Sequence, residues 1–151
     1  MEFNFKKYLG YAIFLLNRKD YSKYELFIKL SKHGASKEEC IEVISYCIDH
    51  NYQSDFRVLE QNYIYYSSRG YGKSYIKNIL FKKKIEKSLI DEFFLGIDTD
   101  FILLGIELIK KRYKTFDLKS KIRAQRFLSY RGYSFSEIKD ILDECFKNEF
   151  Y

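Results

Sequence analysis

The feature that most constrains this chain is a threefold internal repeat. Leu30, Leu80 and Leu128 stand 50 and 48 residues apart. Four residues after each comes Gly34, Lys84 or Gly132, and two residues later Ser36, Glu86 or Ser134, which read as helix starts. Apolar residues then recur with helical spacing. The three sets are Cys40, Val43, Ile44 and Cys47; Ile90, Phe93, Phe94 and Ile97; and Ile138, Ile141, Leu142 and Cys145. A lysine precedes each leucine by seven residues: Lys23, Lys73 and Lys121. A period near fifty with helical spacing inside it predicts an array of small helical units. Each unit is too small to bury its own apolar face, so the units must stack.

The 151 residues contain no proline, which removes the commonest helix breaker. The expected fold is all-α: three tandem three-helix repeats over residues 1–51, 52–97 and 98–151, stacked into one cooperative, elongated and slightly curved body. No linker rich in Gly, Ser or Pro separates them. In the first repeat, helices are predicted over 5–17, from Ser22 (with Glu25 three residues on, a capping-box pattern) to Gly34, and from Ser36 to His50. In the second they cover about 54–69, 73–83 and 86–96, with Gly70-Tyr71-Gly72 breaking the chain. In the third, Asp98-Thr99-Asp100 opens a helix to about Tyr113, followed by helices over 120–131 and 136–150.

Charge follows the helices. The middle helix of the second repeat carries Lys73, Lys77, Lys82, Lys83 and Lys84 and no acid; that of the third carries Lys119, Lys121, Arg123, Arg126 and Arg131 and no acid. The closing helices are acidic, with Glu38, Glu39, Glu42 and Asp49, then Glu86, Asp91 and Glu92, then Glu137, Asp140, Asp143 and Glu144. Stacking in register would place a basic ridge on one side, the pattern of a polyanion-binding surface. With a net charge of +6 and 32% charged residues, an ordinary solvated surface is the alternative. The repeated lysines either cover seams between repeats with their stems or contact a ligand.

Chemistry has little support. No nucleophile–base arrangement, P-loop or glycine-rich dinucleotide motif is present. The three cysteines lie on the apolar stripe and read as reduced, buried small hydrophobes. His33 and His50 lack metal-ligand spacing, so no metal or cofactor is expected. The cluster Tyr63-Ile64-Tyr65-Tyr66 reads as core filling more than as a base-stacking surface. The apolar stretches are too short for a bilayer span. Lys6 and Lys7 precede an apolar patch with no cleavage site after it, so a cytoplasmic chain is expected.

Three stretches resemble the RecX family of bacterial regulatory proteins, modulators of the RecA recombinase. The first is Ala12–Arg18 followed by Tyr21-Ser22, Glu25-Leu26, Lys29-Leu30 and Gly34. The second runs from Tyr52 through Asp55, Phe56-Arg57, Arg69-Gly70-Tyr71-Gly72, Ile76 and Leu80 to Ile85. The third is Phe127-Leu128, Arg131-Gly132-Tyr133-Ser134 and Ile138. Lys84 stands where that family usually has glycine, and Ser54 where an acidic residue is common. The resemblance implies tandem three-helix repeats and no catalysis. It implies binding in the groove of the RecA filament on DNA, restraining ATP hydrolysis, strand exchange and coprotease activity in recombinational repair and the SOS response; the chain itself is expected to be a monomer. A body on the order of 60 Å long would reach more than one protomer. The candidate contacts are the ten basic residues of the second and third middle helices together with Arg57 and Arg69, meeting acidic recombinase surface or DNA phosphates. A general DNA-binding helical-repeat protein without a recombinase partner is the competing class. A scaffold whose charge serves only solubility is a third.

Overall fold

A computed structural model describes residues 4–147. Among these the chain forms nine α-helices and no strand: α1 Phe5–Arg18, α2 Lys23–Lys32, α3 Lys37–Asp49, α4 Asp55–Ser68, α5 Lys73–Lys82, α6 Lys87–Gly96, α7 Phe101–Arg112, α8 Leu118–Tyr130 and α9 Phe135–Cys145. The all-α expectation holds. The predicted extension of the last helix to 150 runs into residues 148–151, which lie outside the described residues.

Backbone chemistry at three helix ends explains the period. After α2, Ala35 N–H donates to Leu30 O (3.0 Å) and Gly34 N–H to Ser31 O (3.1 Å). After α5, Ile85 N–H donates to Leu80 O (3.2 Å) and Lys84 N–H to Phe81 O (3.0 Å). After α8, Tyr133 N–H donates to Leu128 O and Gly132 N–H to Ser129 O, both at 3.1 Å. This paired closure is the Schellman motif, which satisfies carbonyls that a helix end would leave open. The repeated leucines are therefore the acceptors of the outer bond, and all three are fully buried. The donors Ala35, Ile85 and Tyr133 are buried as well. The residue between takes a left-handed φ: 110° at Gly34, 57° at Lys84 and 92° at Gly132. For the lysine that conformation costs about 1–2 kcal/mol. A fourth closure of the same kind, Tyr71 N–H to Tyr66 O (3.0 Å) and Gly70 N–H to Ser67 O (3.1 Å), ends α4.

Helix starts follow the capping rules. Ser22 with Glu25, Ser36 with Glu39 and Ser134 with Glu137 each form a complete capping box. Asp117 accepts from Ser120 N–H (2.9 Å), so α8 begins at Leu118, two residues earlier than predicted. Lys121 is therefore the fourth residue of its helix, whereas Lys23 and Lys73 are the first of theirs.

The chain divides into two compact units, residues through Gln61 with Leu80–Glu92, and Asn62–Ile79 with residues from Phe93 onward. In the first unit α1, α2 and α3 pack on one another. Tyr8, Ala12, Leu15, Leu26, Leu30, Cys40, Val43, Ile44 and Cys47 form its core. In the second, α9 packs on α7 and α8, with Ile109, Ala124, Leu128 and Ile141 fully buried. Cys40 and Cys47 are buried and Cys145 half-buried; burial pushes the Cys47 thiol up to about 11. The expectation that Tyr63–Tyr66 fill a core is corrected at two positions. Ile64 is 63% exposed and Tyr65 50% exposed, because α4 turns them outward while Val58 and Leu59 supply its buried face.

Candidate functional site

The second unit contains two Arg-Gly-Tyr turns that lock together. One, Arg69-Gly70-Tyr71, follows α4; the other, Arg131-Gly132-Tyr133, follows α8. Gly72 N–H donates to Arg131 O (2.7 Å) and Ser74 N–H to Gly132 O (3.2 Å). In the other direction the Arg131 guanidinium donates through Nη1 to Arg69 O, and Tyr133 Oη donates to Gly70 O (2.9 Å). The backbones approach so closely that a Cβ on Gly72 would lie 2.6 Å from Gly132 O. A Cβ on Gly132 would lie 2.5 Å from Tyr75 N. Only glycine at both positions permits this contact.

The lock gathers rings and guanidinium groups into a continuous run. Ring centroids of Tyr75 and Tyr71 are 4.3 Å apart. The Arg131 guanidinium carbon lies 4.3 Å from the Tyr71 centroid and 4.9 Å from that of Phe127. The Arg112 guanidinium carbon lies 4.0 Å from Phe127. Tyr66 meets Tyr71 and Tyr75 edge-on at 5.4 and 5.5 Å, and Tyr65 meets Tyr66 at 4.9 Å. Arg69 covers Tyr65 at 3.6 Å and donates from Nη1 to Tyr65 O (3.1 Å). These are cation–π and edge-to-face geometries. Burial pushes the Tyr75 hydroxyl up, the phenols of Tyr71, Tyr66 and Tyr130 add to this, and Arg131 opposes it. Burial also pushes the Tyr133 hydroxyl up to about 12, with Glu137 adding and Arg131 opposing. Both phenols are neutral at physiological pH, so the charge of the cluster is that of its arginines.

The candidate residues divide between the units. Arg69, Lys73, Lys77, Lys119, Lys121, Arg123, Arg126 and Arg131 belong to the second; Arg57, Lys82, Lys83 and Lys84 belong to the first. Arg57 lies 3.6 Å from Asp20 through Nε and donates to Asn51 Oδ1 (2.8 Å) and Asn51 O (3.1 Å). Lys83 lies 3.1 Å from Glu25. Burial pushes the Glu25 carboxyl up, but the Ser22 N–H and the Lys83 ammonium outweigh it and hold it below the usual carboxylate range. The ammonium of Lys84 sits 5.9 Å from the Tyr24 ring, that of Lys73 6.0 Å from Phe101 and that of Lys77 5.3 Å from Phe94. Lys82, Lys119, Arg123 and Arg126 are exposed. Lys121 is half-buried and lines a groove with Gln125, Phe135 and Leu142.

Sequence reasoning missed Arg112, Phe127, Tyr71 and Tyr75 as members of one cluster. The signal was the tripeptide Arg-Gly-Tyr occurring twice, at 69–71 and 131–133. Among the described residues no group of three or more His, Cys, Asp or Glu side chains is arranged to hold a metal ion. Among them, too, no helix is long and apolar enough to cross a membrane.

No family model matches the sequence. The chain is 34% identical over 130 residues to the regulatory protein RecX of Vibrio campbellii, covering 84% of each chain. It is 35% identical over 125 residues to the regulatory protein RecX of Acinetobacter baylyi, covering 81% of this chain and 77% of the relative. Its fold is similar to the crystal structure of RecX from Lactobacillus salivarius, with a TM-score of 0.80 at 22% identity over 93% of this chain and 96% of that one.

Proposed function

The chain belongs to the RecX family of regulatory proteins, and from that premise we propose that it binds in the groove of a RecA-type filament on DNA and slows the recombinase. It acts as a regulator with no reaction of its own. Bridging neighbouring protomers opposes the rearrangements of ATP hydrolysis and strand exchange, and occupying the groove excludes a second duplex or a repressor. The observation that carries this reading is α8. Lys119, Arg123 and Arg126 are exposed along a helix with no acidic residue. A row of exposed cations on a helix whose one neighbouring acid is its cap, Asp117, attracts phosphate or acidic protein surface.

Titration of the protein into its cognate recombinase on single-stranded DNA should slow ATP hydrolysis. Unchanged hydrolysis, at concentrations where co-sedimentation shows binding, would overturn the inhibitory reading. Equal affinity for naked and recombinase-coated DNA would favour a general DNA-binding protein instead. Changing Lys73, Lys77, Arg123 and Arg126 together to alanine should weaken binding. If these residues meet phosphates, the slope of log affinity against log salt flattens by about 0.7–0.9 for each phosphate no longer neutralised. A weaker complex with a smaller change in slope assigns them to acidic protein surface.

A further inference from the structure

We propose that the outer edge of the ring-and-guanidinium run in the second unit is a stacking platform for unpaired bases of single-stranded nucleic acid. This deepens the filament reading, since a strand held by a recombinase is where the chain would meet unpaired bases. Four observations carry it. Flat groups face solvent: Tyr65 is 50% exposed with Arg69 exposed on its ring, Tyr130, which interacts with Tyr75, is 80% exposed, and Arg112 is exposed on the ring of Phe127. The platform is pre-organised, because Arg69 is fixed on Tyr65 by its bond to Tyr65 O and Arg131 is fixed by its bond to Arg69 O. Among the described residues, none of Arg69, Arg112 and Arg131 has a carboxylate within ion-pair distance. The flanking segments 70–85 and 118–136 contain no acid. One acid, Glu107, lines the groove beside Arg69, together with Lys111.

A ligand for this surface must be polyanionic and must bring flat apolar faces. A duplex is polyanionic but hides its base faces. An acidic protein surface supplies charge without a series of planar groups. A single strand supplies both, and aromatic or guanidinium stacking on bases is tolerant of sequence.

The test uses the full chain without recombinase, so its failure is separable from failure of the filament reading. Fluorescence anisotropy compares a labelled oligothymidylate with an abasic strand of the same length and charge. Oligothymidylate should bind about fivefold tighter or more for each base that stacks. Tyr65→Ala with Tyr130→Ala should remove most of that preference and leave the abasic affinity unchanged. Tyr130→Phe should keep it, because the ring and not the hydroxyl makes the contact. Both alanine sites are at least half exposed, and a thermal melt that matches the parent protein verifies the fold. Equal affinity for the two strands, no measurable binding to oligothymidylate at low salt, or equal weakening of both strands by the double variant overturns the proposal. Loss of filament binding by the double variant with naked-strand binding intact overturns it in favour of a protein-docking face.

Discussion

Arg57 and Lys83 of the first compact unit are held differently from Arg69, Arg112 and Arg131 of the second. In the first, Arg57 and Lys83 sit against the carboxylates of Asp20 and Glu25. In the second, Arg69, Arg112 and Arg131 sit on the rings of Tyr65, Phe127 and Tyr71. A carboxylate neutralises its partner, so those two cations join distant segments of the first unit and present little net charge. An aromatic face orients a guanidinium without cancelling its charge and leaves N–H groups at its edge. The same residue types thus serve as internal ties in one region and as a charged surface in the other.

The largest expected effect sharpens the contrast in backbone packing. Gly132→Ala imposes a left-handed alanine and drives its Cβ into the Tyr75 backbone, which should cost about 2–5 kcal/mol. Gly34→Ala, at the corresponding position of the first unit, meets only the Tyr8 hydroxyl at 3.2 Å and should cost about 1–2 kcal/mol. Urea midpoints measure both, and equal losses would show that the interlock is not tight. The next effect concerns the ties. Glu25→Gln keeps an acceptor for Ser22 N–H but removes the carboxylate charge and the ion pair with Lys83, and should cost about 1 kcal/mol at neutral pH. Because the folded carboxyl lies below its ordinary value, its contribution is complete above the unfolded value and disappears as pH falls through the folded one. The gap between parent and variant should therefore close on acidification. Arg131→Met, which removes a bond to a carbonyl and two cation–ring interactions, should show a similar cost with no such closure over the same acid range. Matching acid dependence in the two variants would dissolve the distinction between the units. The smallest effect is a gain. Lys84→Gly relieves a left-handed lysine and should stabilise the chain by about 1 kcal/mol in a thermal melt. A loss of stability instead would mean that the interaction of Lys84 with Tyr24 outweighs the backbone cost.

What was legible in the sequence follows from the range of the interactions. Schellman closures and capping boxes join residues three to five apart. Leu30, Gly34, Ser36 and Glu39 therefore announce their turn, and their counterparts near Leu128 do the same. The cation partners do not. Arg57 meets Asp20, Lys83 meets Glu25 and Arg131 meets Tyr71 through contacts that span dozens of residues and leave no local pattern. Arg112 ends α7, an opening helix, so the charge pattern of the middle helices does not include it. Ile64 and Tyr65 looked like core because periodicity reports an apolar face without showing whether a neighbour covers it.

The interlock also bears on the order of events when the chain folds. Its bonds join residues some five dozen positions apart, whereas the helix-end closures join residues three and five apart. Chain entropy makes the longer closure about 2 kcal/mol more costly. The two turns must each exist, with their flanking helices, before one can receive the other. The interlock is then expected to form late, with φ values near zero at Gly72, and to contribute mainly to the barrier to unfolding. A side chain at Gly72, which has no left-handed φ and meets only the partner turn, should shorten the lifetime of the folded second unit more than it slows its formation.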